Sequence, residues 1–549
     1  MRDLLLRGAM AVSGLRHWRP LNAQARDPRA AQADALRRIL TDNAGTTFGR
    51  AHNFAGANTP DAFRDATPVS DYEALRPYVE TQRTTGSPEL TTEAPIFYAQ
   101  TSGSTGAPKY IPVTPTALGG FRSEQSLFAY LQYRARPDAF SGRAWGIMGA
   151  AVEGRLDSGH IVGSVSGHLY EALPRAVRER FVVPPQVASI PDYETKYLVI
   201  LRLALGARDV TYLGTPNPST FLRLLTLLNE RRDDLAGALQ DGTLPSAEGV
   251  PDDVVKAVGS RLTRDPERAR QLRGSQPLTY AELWPRIALL TTWTGGSCGI
   301  ALDALRRTLP RECAVMELGY QATELRGTIA LEPEVPGGLP PLHHYYFEFV
   351  PQASSGTDRP VFLGLEALEV GERYYVVVTT AAGLYRYAMN DIVEVTGRFE
   401  RTPLLRFVQK GKGVTSVTGE KLYEAQAIAA VQDVTRAHQI VAPFFLLVAD
   451  ELPAGYHLYV EGAAPRRVPD AVLAAEIDER LGLLNHEYAS KRASGRLAPL
   501  SLARLKPGSG DAFKAAYVRA GQREGQFKPA VLHYRKDLDL KWPVEPHVV

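Results

Sequence analysis

The sequence predicts an α/β protein of layered sheets and helices, and three observations lead to this fold class. Short apolar segments typical of strands alternate along the chain with helical segments, an order that characterises layered α/β folds. The 549 residues exceed what one hydrophobic core accommodates, so we expect more than one domain. No apolar run approaches the length of about 18 residues that indicates a membrane-spanning helix; the run Tyr197–Leu205 is interrupted by Arg202.

Helical periodicity is clearest over Ala31–Thr41, where apolar residues recur on one face until Asn43 and Gly45 end the pattern. Two more helices are predicted over Tyr193–Gly206 and Ser219–Glu230, the second with Ser219 as its N-cap. Strands are predicted from β-branched and aromatic runs. These runs are Ile287–Trp293, His344–Val350, Tyr374–Thr380 and Ile392–Val395.

A domain boundary is predicted at Val408-Gln-Lys-Gly-Lys-Gly413, where glycines and lysines interrupt the apolar pattern. The expected organisation is a large N-terminal domain (1–408), a hinge (409–413) and a small C-terminal α+β domain (414–549). The small domain contains predicted strands at Phe444–Val448 and Tyr456–Val460 and a predicted helix at Ala471–Leu481. The polar segment Asp233–Leu278 is expected to be a surface excursion of the large domain.

Composition excludes several classes of protein. Lys plus Arg total 63 against 60 Asp plus Glu, a balance that argues against a nucleic-acid partner or an anionic membrane surface. Two cysteines, Cys298 and Cys313, exclude a disulfide framework or a four-cysteine zinc site and fit a reducing cytosol. Arg7 interrupts the N-terminal leucines, which argues against a signal peptide. We therefore expect a cytoplasmic protein.

The stretch Thr101-Ser-Gly-Ser-Thr-Gly-Ala-Pro-Lys109 lies between the apolar runs Ala94–Tyr98 and Tyr110–Val113 and predicts a strand, a loop and a strand. Glycines let backbone N–H groups converge, hydroxyl groups add donors and the lysine adds a positive charge, a combination suited to a polyphosphate. It is not a Walker A loop, in which Lys directly follows Gly. A hydroxyl-rich surface turn is the alternative. The predicted phosphate-binding residues are Thr101, Ser102, Gly103, Ser104, Thr105, Gly106 and Lys109.

Two further turns follow predicted strands. The segment Cys313–Glu324 ends in Tyr-Gln-Ala-Thr-Glu, in which Tyr320 can cover an adenine, Thr323 can donate to a phosphate and Glu324 can hold Mg²⁺. Alone, this pattern also fits an ordinary loop. The glycine-rich turn at 294–299, with Gly296 and Ser297, allows close approach to a flat ring or is simply a tight strand-to-helix turn.

Two charged residues complete the motifs. Asp391 comes just before the predicted strand Ile392–Val395 and can accept both ribose hydroxyls, although an Asx-turn is an alternative. Lys528 lies in Gly521-Gln-Arg-Glu-Gly-Gln-Phe-Lys-Pro529. A lysine flanked by glycines, an aromatic residue and proline is better placed than most surface lysines to be directed into a cleft.

The order of these motifs resembles the adenylate-forming superfamily of acyl and aryl ligases. Within it, the chain resembles the GH3 family of acyl acid–amido synthetases, over roughly residues 30 to 535. The segments that carry this resemblance are Gln32–Asn43, Thr47–Phe54, Phe63–Glu73, Tyr346–Pro351 and Gly525–Lys528. The chain departs from the family's plant members at Ala322-Thr323, where they have Ser-Ser, and at Gln409-Lys410, where they have Arg. We therefore expect a bacterial rather than a plant-like member.

The resemblance implies the adenylate-forming fold and two half-reactions, in which ATP and Mg²⁺ convert a carboxylic acid to an acyl-adenylate and an amine, such as an amino acid, then forms the amide. Lys528 would be the catalytic cation on the mobile small domain. Glu324 would bind the metal, and Asp391 and Lys410 would contact the nucleotide. The acid and acceptor would lie near Arg122, Ser164 and His168. A monomer is expected, without nucleic acid or membrane partners.

Two alternatives stay open at this level. An acyl-CoA ligase would use the same first step with a thiol acceptor, and only the family-level match favours an amine. A non-catalytic sensor of nucleotide or acid is the other. The joint presence of Lys109, Glu324, Asp391 and Lys528 argues against the sensor.

Overall fold

The structure is a computed structural model. It describes residues 2–101, 109–246, 248–274, 276–295, 298–354, 360–411, 413–415, 417–418, 420, 422–451, 453–462, 468–493, 495, 497–519, 530–535 and 538. Ser102–Gly106, Gly296, Ser297 and Lys528, all predicted site residues, lie outside the described residues. Their roles therefore stay predictions.

The helices are interspersed with strands along the whole chain. They are α1 (Arg2–Ser13), α2 (Arg19–Gln24), α3 (Pro28–Asn43), α4 (Thr47–Ala51), α5 (Pro60–Ala66), α6 (Tyr72–Thr85), α7 (Pro115–Ala135), α8 (Val165–Glu171), α9 (Arg175–Arg178), α10 (Tyr193–Leu205), α11 (Ser219–Glu230), α12 (Arg232–Asp241), α13 (Asp252–Gly259), α14 (Pro266–Leu272), α15 (Tyr280–Leu283), α16 (Cys298–Arg306), α17 (Glu424–Ala437), α18 (Asp470–Leu484), α19 (His486–Ala493) and α20 (Ser509–Arg519). A π-helical turn lies at Gly14–Trp18, and short 3₁₀ turns at Pro137–Phe140, Pro185–Ser189, Gln352–Ser354 and Leu365–Ala367.

The strands include every one predicted from the sequence, with their ends moved by a few residues. They are β1 (Phe97–Thr101), β2 (Lys109–Val113), β3 (Arg143–Gly146), β4 (Gly154–Arg155), β5 (Ile161–Gly163), β6 (Val210–Gly214), β7 (Leu289–Thr292), β8 (Ala314–Glu317), β9 (Tyr345–Pro351), β10 (Arg373–Thr380), β11 (Tyr387–Phe399), β12 (Thr402–Lys410), β13 (Val414–Thr415), β14 (Leu422–Tyr423), β15 (Phe444–Glu451), β16 (Ala454–Glu461), β17 (Ser501–Leu505) and β18 (Leu532–Tyr534).

The chain forms two compact units. The first comprises Met1–Pro216, Thr220–Trp293 and Thr308–Phe407, and the second comprises Asn217–Ser219, Thr294–Arg307 and Val408–Val549. Within the first unit, the described strands form a parallel sheet in the order β3-β6-β7-β8 and a mixed sheet in the order β2-β1-β5-β4. A third sheet has the order β12-β11-β10-β9, and its strands β9, β10 and β11 lie within this unit.

The second unit is organised around a mixed sheet in the order β17-β16-β15-β18. Helices α17 and α18 pack together beside it, over a core that includes Val431, Phe445 and Ile477. This is the α+β arrangement expected for the C-terminal part of the chain.

Several helix starts follow the capping rules, and one predicted cap needs correction. Asp27, Asp71 and Thr114 each accept a backbone N–H through the side chain, and Pro28 and Pro115 occupy the first helical positions. The predicted cap Ser219 is instead the first residue of α11, and the side-chain oxygen of Asn217 accepts its N–H at 2.9 Å.

The expected surface excursion at Asp233–Leu278 is a packed element of the first unit. Helices α12 and α14 pack on each other, and Leu235, Leu239, Val254 and Leu272 are completely buried. Few apolar residues suffice because several short helices share one small core. Among the described residues, none of the helices is long and apolar enough to cross a membrane. Both cysteines are free thiols; Cys298 is buried and Cys313 is half-buried.

Candidate active site

The frame of the predicted phosphate loop is a hairpin. Strands β1 and β2 pair antiparallel with Thr101 opposite Lys109, so the two ends of the loop are held side by side. The Tyr72 hydroxyl accepts the N–H of Tyr110 at 2.7 Å, and burial raises the pKa of Tyr72 to about 12. Lys109 Nζ lies 5.6 Å from the centroid of the Tyr72 ring. Tyr72 on α6 therefore anchors the strand on which Lys109 stands.

The Tyr-x-x-Thr-Glu motif folds as a small hairpin after β8. Gln321 and Arg326 form an antiparallel bridge, and the Ala322 N–H donates to the Leu325 carbonyl at 2.9 Å, which leaves Thr323 and Glu324 as a two-residue loop. Both loop residues are half-buried. We call Gln321–Arg326 the motif hairpin. It presents a hydroxyl and a carboxylate at one tip, as phosphate and metal binding would require.

Tyr320 and Asp391 form the base of the site. The Tyr320 hydroxyl donates to Asp391 Oδ2 at 2.7 Å, and the exposed fractions of the two residues are 5% and 1%. The Tyr320 ring stacks on Phe407 with 5.8 Å between centroids and 15° between planes. Burial and the nearby Asp391 carboxylate raise the pKa of Tyr320, so its hydroxyl remains a donor. The ring face next to Phe407 is occupied, so an adenine would have to lie elsewhere on the ring.

Asp391 lies inside a strand, which corrects the prediction that it precedes one. Strand β11 starts at Tyr387 and pairs with β10 on both sides of a register shift, with Ala388 opposite Val377 and Ile392 opposite Tyr375. Asn390, in this irregular stretch, has φ of 53°. The polar run looked like a turn because the bulge that absorbs it depends on pairing with a distant strand.

A buried ionic network precedes this strand. The Arg386 guanidinium donates to both carboxylate oxygens of Glu348, at 2.9 and 3.2 Å, and to the Thr67 carbonyl at 2.8 Å. Arg64 donates to the same carboxylate at 2.8 Å. The Glu348 side chain is 1% exposed and that of Arg386 5%. Through Arg386, the network holds the chain directly before β11, five residues before Asp391.

The three candidates for the acid or acceptor site lie on two contacting helices, α7 and α8. Arg122 is exposed on α7. Burial lowers the pKa of His168; the Glu171 charge and a hydrogen bond with the Ala151 backbone oppose this shift, and the positive charge of Arg122 adds a smaller lowering. The His168 ring stacks on Phe97 at 4.0 Å. Ser164 caps α8, accepting the Gly167 N–H at 3.0 Å and donating to the Ala150 carbonyl at 2.8 Å. Ser164 thus has a structural task, whereas Arg122 and His168 are within electrostatic reach of each other.

In the second unit, the predicted hinge segment is tied to α17. The Gln409 amide donates to the Gly413 carbonyl at 3.2 Å and accepts the Ala425 N–H at 2.9 Å. Lys410 is exposed at the end of β12. The buried Glu424 carboxylate accepts the Val531 N–H at 2.7 Å. That bond fixes the backbone three residues after Lys528.

The donor set fits a nucleotide with a hard cation. Lys109 offers a positive charge, the Asp391 carboxylate an acceptor for hydroxyls and Glu324 an oxygen ligand. Among the described residues, no group of three or more His, Cys, Asp or Glu side chains is arranged to hold a metal ion. Mg²⁺ is commonly held by one or two carboxylates together with substrate phosphates. Glu324 at a half-buried tip suits that mode.

Comparison with solved structures defines the class of protein. The chain resembles AtGH3.15 acyl acid amido synthetase in complex with 2,4-DB, with a TM-score of 0.83 and 22% identity over 94% of this chain and 93% of that one. It also resembles 2-hydroxyisobutyryl-CoA ligase in its postadenylation state, with a TM-score of 0.52 and 13% identity over 89% and 91% of the two chains. The fold is that of adenylate-forming ligases, as predicted, with a large N-terminal domain and a smaller C-terminal one.

Sequence comparison then identifies the family. Residues 18–313 match the GH3 family N-terminal domain, 339–410 its central domain and 425–536 its C-terminal domain. The chain belongs to the GH3 family. It is 26% identical to indole-3-acetic acid-amido synthetase GH3.8 of Oryza sativa subsp. indica, over 95% of this chain and 91% of that protein. It is 25% identical to GH3.15 of Arabidopsis thaliana, also an indole-3-acetic acid-amido synthetase, over 90% and 89% of the two chains.

Membership of this family confirms the predicted enzyme class. The protein is an acyl acid–amido synthetase, an ATP-dependent ligase that adenylates an acid and conjugates it to an amino acid. Sequence reasoning missed four residues that shape the site: Phe407, Glu348, Glu124 and Arg326. Two signals were available in the sequence: Arg326 lies two residues after Glu324, and Glu348 lies in the segment Tyr346–Pro351.

Proposed function

We propose that the acyl-adenylate is formed at the motif hairpin, by the residues of the predicted site. An oxygen of the substrate carboxylate attacks the α-phosphorus of ATP, and the bond to the β-phosphate oxygen breaks to release pyrophosphate. Because several anionic groups must approach one another, the protein contributes mainly positioning and positive charge. The observation that carries this proposal is the buried Tyr320–Asp391 hydrogen bond beside the motif hairpin.

The predicted nucleotide and metal residues each have a role in this proposal. Lys109 and the loop that precedes it would neutralise the phosphates, and Lys528 would stabilise the charge that develops on pyrophosphate. Asp391, oriented by Tyr320, would accept the ribose hydroxyls, and Thr323 would donate to a phosphate. Glu324 would hold Mg²⁺, which supplies electrostatic neutralisation when it is bound. Lys410 and the glycine-rich turn with Gly296 and Ser297 would complete the nucleotide site.

The second half-reaction is proposed to use an amino acid as the nucleophile. Its amine attacks the acyl carbon of the mixed anhydride, AMP leaves, and the amine loses a proton as the amide forms. We propose that residues 409–413 act as a hinge between a large domain (1–408) and a small domain (414–549) that moves between the two steps. The acid would bind along α7, near Arg122 and His168.

Three broader expectations are also proposals. We propose a bacterial, non-plant-like member of the family, because the chain is only 23–27% identical to its plant relatives and departs from them at Ala322-Thr323 and Gln409-Lys410. We further propose that it acts as a monomer in the cytoplasm. Size-exclusion chromatography with light scattering tests whether the protein is a monomer.

A panel experiment tests the function as a whole. The purified protein is incubated with ATP, Mg²⁺, a panel of acids that includes indole-3-acetic acid and 2,4-DB, and either the standard amino acids or coenzyme A. We expect an acid–amino acid conjugate in mass spectra only when ATP, Mg²⁺ and the amine are all present. Efficient formation of an acyl-CoA with no amide from any amino acid would instead favour the thioester-forming alternative.

A further inference from the structure

Arg326 closes the base of the motif hairpin and attaches it to α7. Its guanidinium donates to the carbonyl of Leu318, which precedes the hairpin in the chain, at 3.3 Å. It also donates to Gln125 Oε1 of α7 at 3.1 Å. The same group lies 4.6 Å from the centroid of the Phe128 ring, also on α7. Arg326 is 4% exposed, and its Nε atom is buried without a hydrogen-bond partner. One planar cation therefore spans the hairpin and the helix.

A carboxylate of α7 accompanies this cation. Glu124 is 1% exposed, and its Oε2 atom accepts a hydrogen bond from the Tyr345 hydroxyl at 3.4 Å. The same hydroxyl accepts the backbone N–H of Arg326 at 3.3 Å. Burial is the largest influence on both groups: it lowers the pKa of Arg326 to about 10 and raises the pKa of Glu124 to about 8. Each group shifts the pKa of the other in the opposite direction. The guanidinium stays positive at neutral pH, although it is almost completely removed from water.

We propose that Arg326 is a positioning residue that holds Glu324 at the metal-binding tip of the motif hairpin. The hairpin loop has only two residues, and Arg326 follows Glu324 by two positions, so a displacement of Arg326 moves Glu324 with it. A lysine keeps the charge but has no planar fork, so it cannot donate to Leu318 and Gln125 in the same geometry. The inference rests on the proposed role of Glu324 in holding Mg²⁺.

Because α7 is also the helix along which the acid is proposed to bind, Arg326 connects the acid side of the site with the metal side. Gln125 and Phe128 belong to the same helix as Arg122. The expected consequence of loosening Arg326 is a higher Mg²⁺ requirement for nucleotide binding, with the fold retained.

The test compares Arg326→Lys with a matched control, Arg268→Lys. Arg268 is also 4% exposed, donates to a backbone carbonyl (Leu283, 2.9 Å) and a glutamine oxygen (Gln271, 2.7 Å), and lies over an aromatic ring. Its Nε atom is likewise buried without a partner, but it belongs to α14, outside the motif hairpin. The two variants therefore impose the same chemical change, one at the proposed site and one elsewhere.

The measurement is ATP binding by calorimetry over a series of Mg²⁺ concentrations, without acid, together with the melting temperature. For Arg326→Lys we expect the half-saturating Mg²⁺ concentration to rise about tenfold, the size expected for loss of one hydrogen bond to a charged group. Arg268→Lys should leave it unchanged at a similar loss of melting temperature. An equal shift, or no shift, in the two variants would overturn the proposal.

A double-mutant cycle identifies the group through which Arg326 acts. In a Glu324→Gln background, Arg326→Lys should cause no further rise in the Mg²⁺ requirement, since the charge that it positions has been removed. An additive effect would contradict the proposal. If Arg326→Lys does not fold, Gln125→Leu removes one of its acceptors from α7 and should raise the Mg²⁺ requirement in the same direction; an unchanged requirement would refute the inference.

These outcomes are separable from those of the proposed function. Failure of the wild-type protein to form any adenylate would overturn the proposed function, even if it binds ATP with Mg²⁺. If the wild type forms adenylate but the Mg²⁺ requirement is the same in Arg326→Lys, only the positioning role would be overturned.

Discussion

Removal of the Tyr320 hydroxyl tests how Asp391 is held. Tyr320→Phe keeps the ring that stacks on Phe407 and deletes the donor 2.7 Å from Asp391 Oδ2. Asp391 is 1% exposed, so water does not readily replace the lost donor. A hydrogen bond to a charged group contributes about 1.5–3 kcal/mol. We expect the free energy of unfolding of the first unit to fall by that amount, and ATP affinity to fall about tenfold or more as Asp391 loses its orientation.

The matched control is Tyr385→Phe. Tyr385 is also completely buried, but its hydroxyl donates to the uncharged carbonyl of Leu90. That variant should lose only about 0.5–1.5 kcal/mol and should bind ATP normally. Urea unfolding followed by tryptophan fluorescence reports the first unit, since Trp145 and Trp284 lie in its core. Calorimetry with ATP gives the affinities.

Two results would refute this reasoning. Equal losses of stability in the two variants would mean that the charge of Asp391 contributes nothing to the bond. An unchanged ATP affinity in Tyr320→Phe would mean that the hydroxyl does not orient Asp391 for a nucleotide, whatever its effect on stability.

Three further predictions concern charge. Lys528→Ala should slow adenylate formation by about 10²- to 10⁴-fold and slow amide formation from a pre-formed acyl-adenylate much less; quenched-flow measurement of both steps would show equal damage if Lys528 were structural. Glu324→Gln should need far more Mg²⁺ for the same rate of pyrophosphate exchange, because a hard cation favours the carboxylate; an unchanged requirement would mean that phosphates alone hold the ion. Burial, together with neighbouring positive charges, lowers the pKa of His343 to about 4 and of His344 to about 3, so both stay neutral when folded but bind protons below about pH 6.5 when unfolded. The free energy of unfolding should therefore be highest above pH 6.5 and fall below it, by up to about 1.4 kcal/mol per pH unit for each histidine. In urea unfolding, His344→Gln, whose side chain can still bond Ser123, should show a shallower pH dependence. A pH dependence identical to that of the wild type would contradict this.

Much of the fold could be predicted because the information is local. The predicted helices and strands exist, including Ile392–Val395 within β11 and Ala471–Leu481 within α18, since side-chain periodicity reports which face of an element is buried. The motifs could also be recognised in order, because a phosphate loop or a Tyr-x-x-Thr-Glu turn is a contiguous run of residues. The superfamily followed from that order, and the family from further segments such as Gln32–Asn43 and Tyr346–Pro351.

The placement of Asp391 could not be predicted in the same way. Its neighbours are polar and turn-like, and only pairing with β10 makes them part of a strand with a bulge. Ser219 was likewise predicted to cap α11 but is its first residue, and the Asn217 side chain accepts its N–H.

The sequence by itself therefore determined which chemical groups this synthetase has and the order in which the chain carries them. Only the tertiary structure decided how those groups are held: Tyr320 on Asp391, Arg386 on Glu348, and Arg326 between the motif hairpin and α7. The partners in the first of these contacts are 71 residues apart and in the second 38, and Arg326 is 201 residues from Gln125. Hydrogen bonds and ion pairs of this kind leave no periodic pattern in a sequence. They depend on burial and on contacts between elements that are far apart along the chain and meet only when it folds.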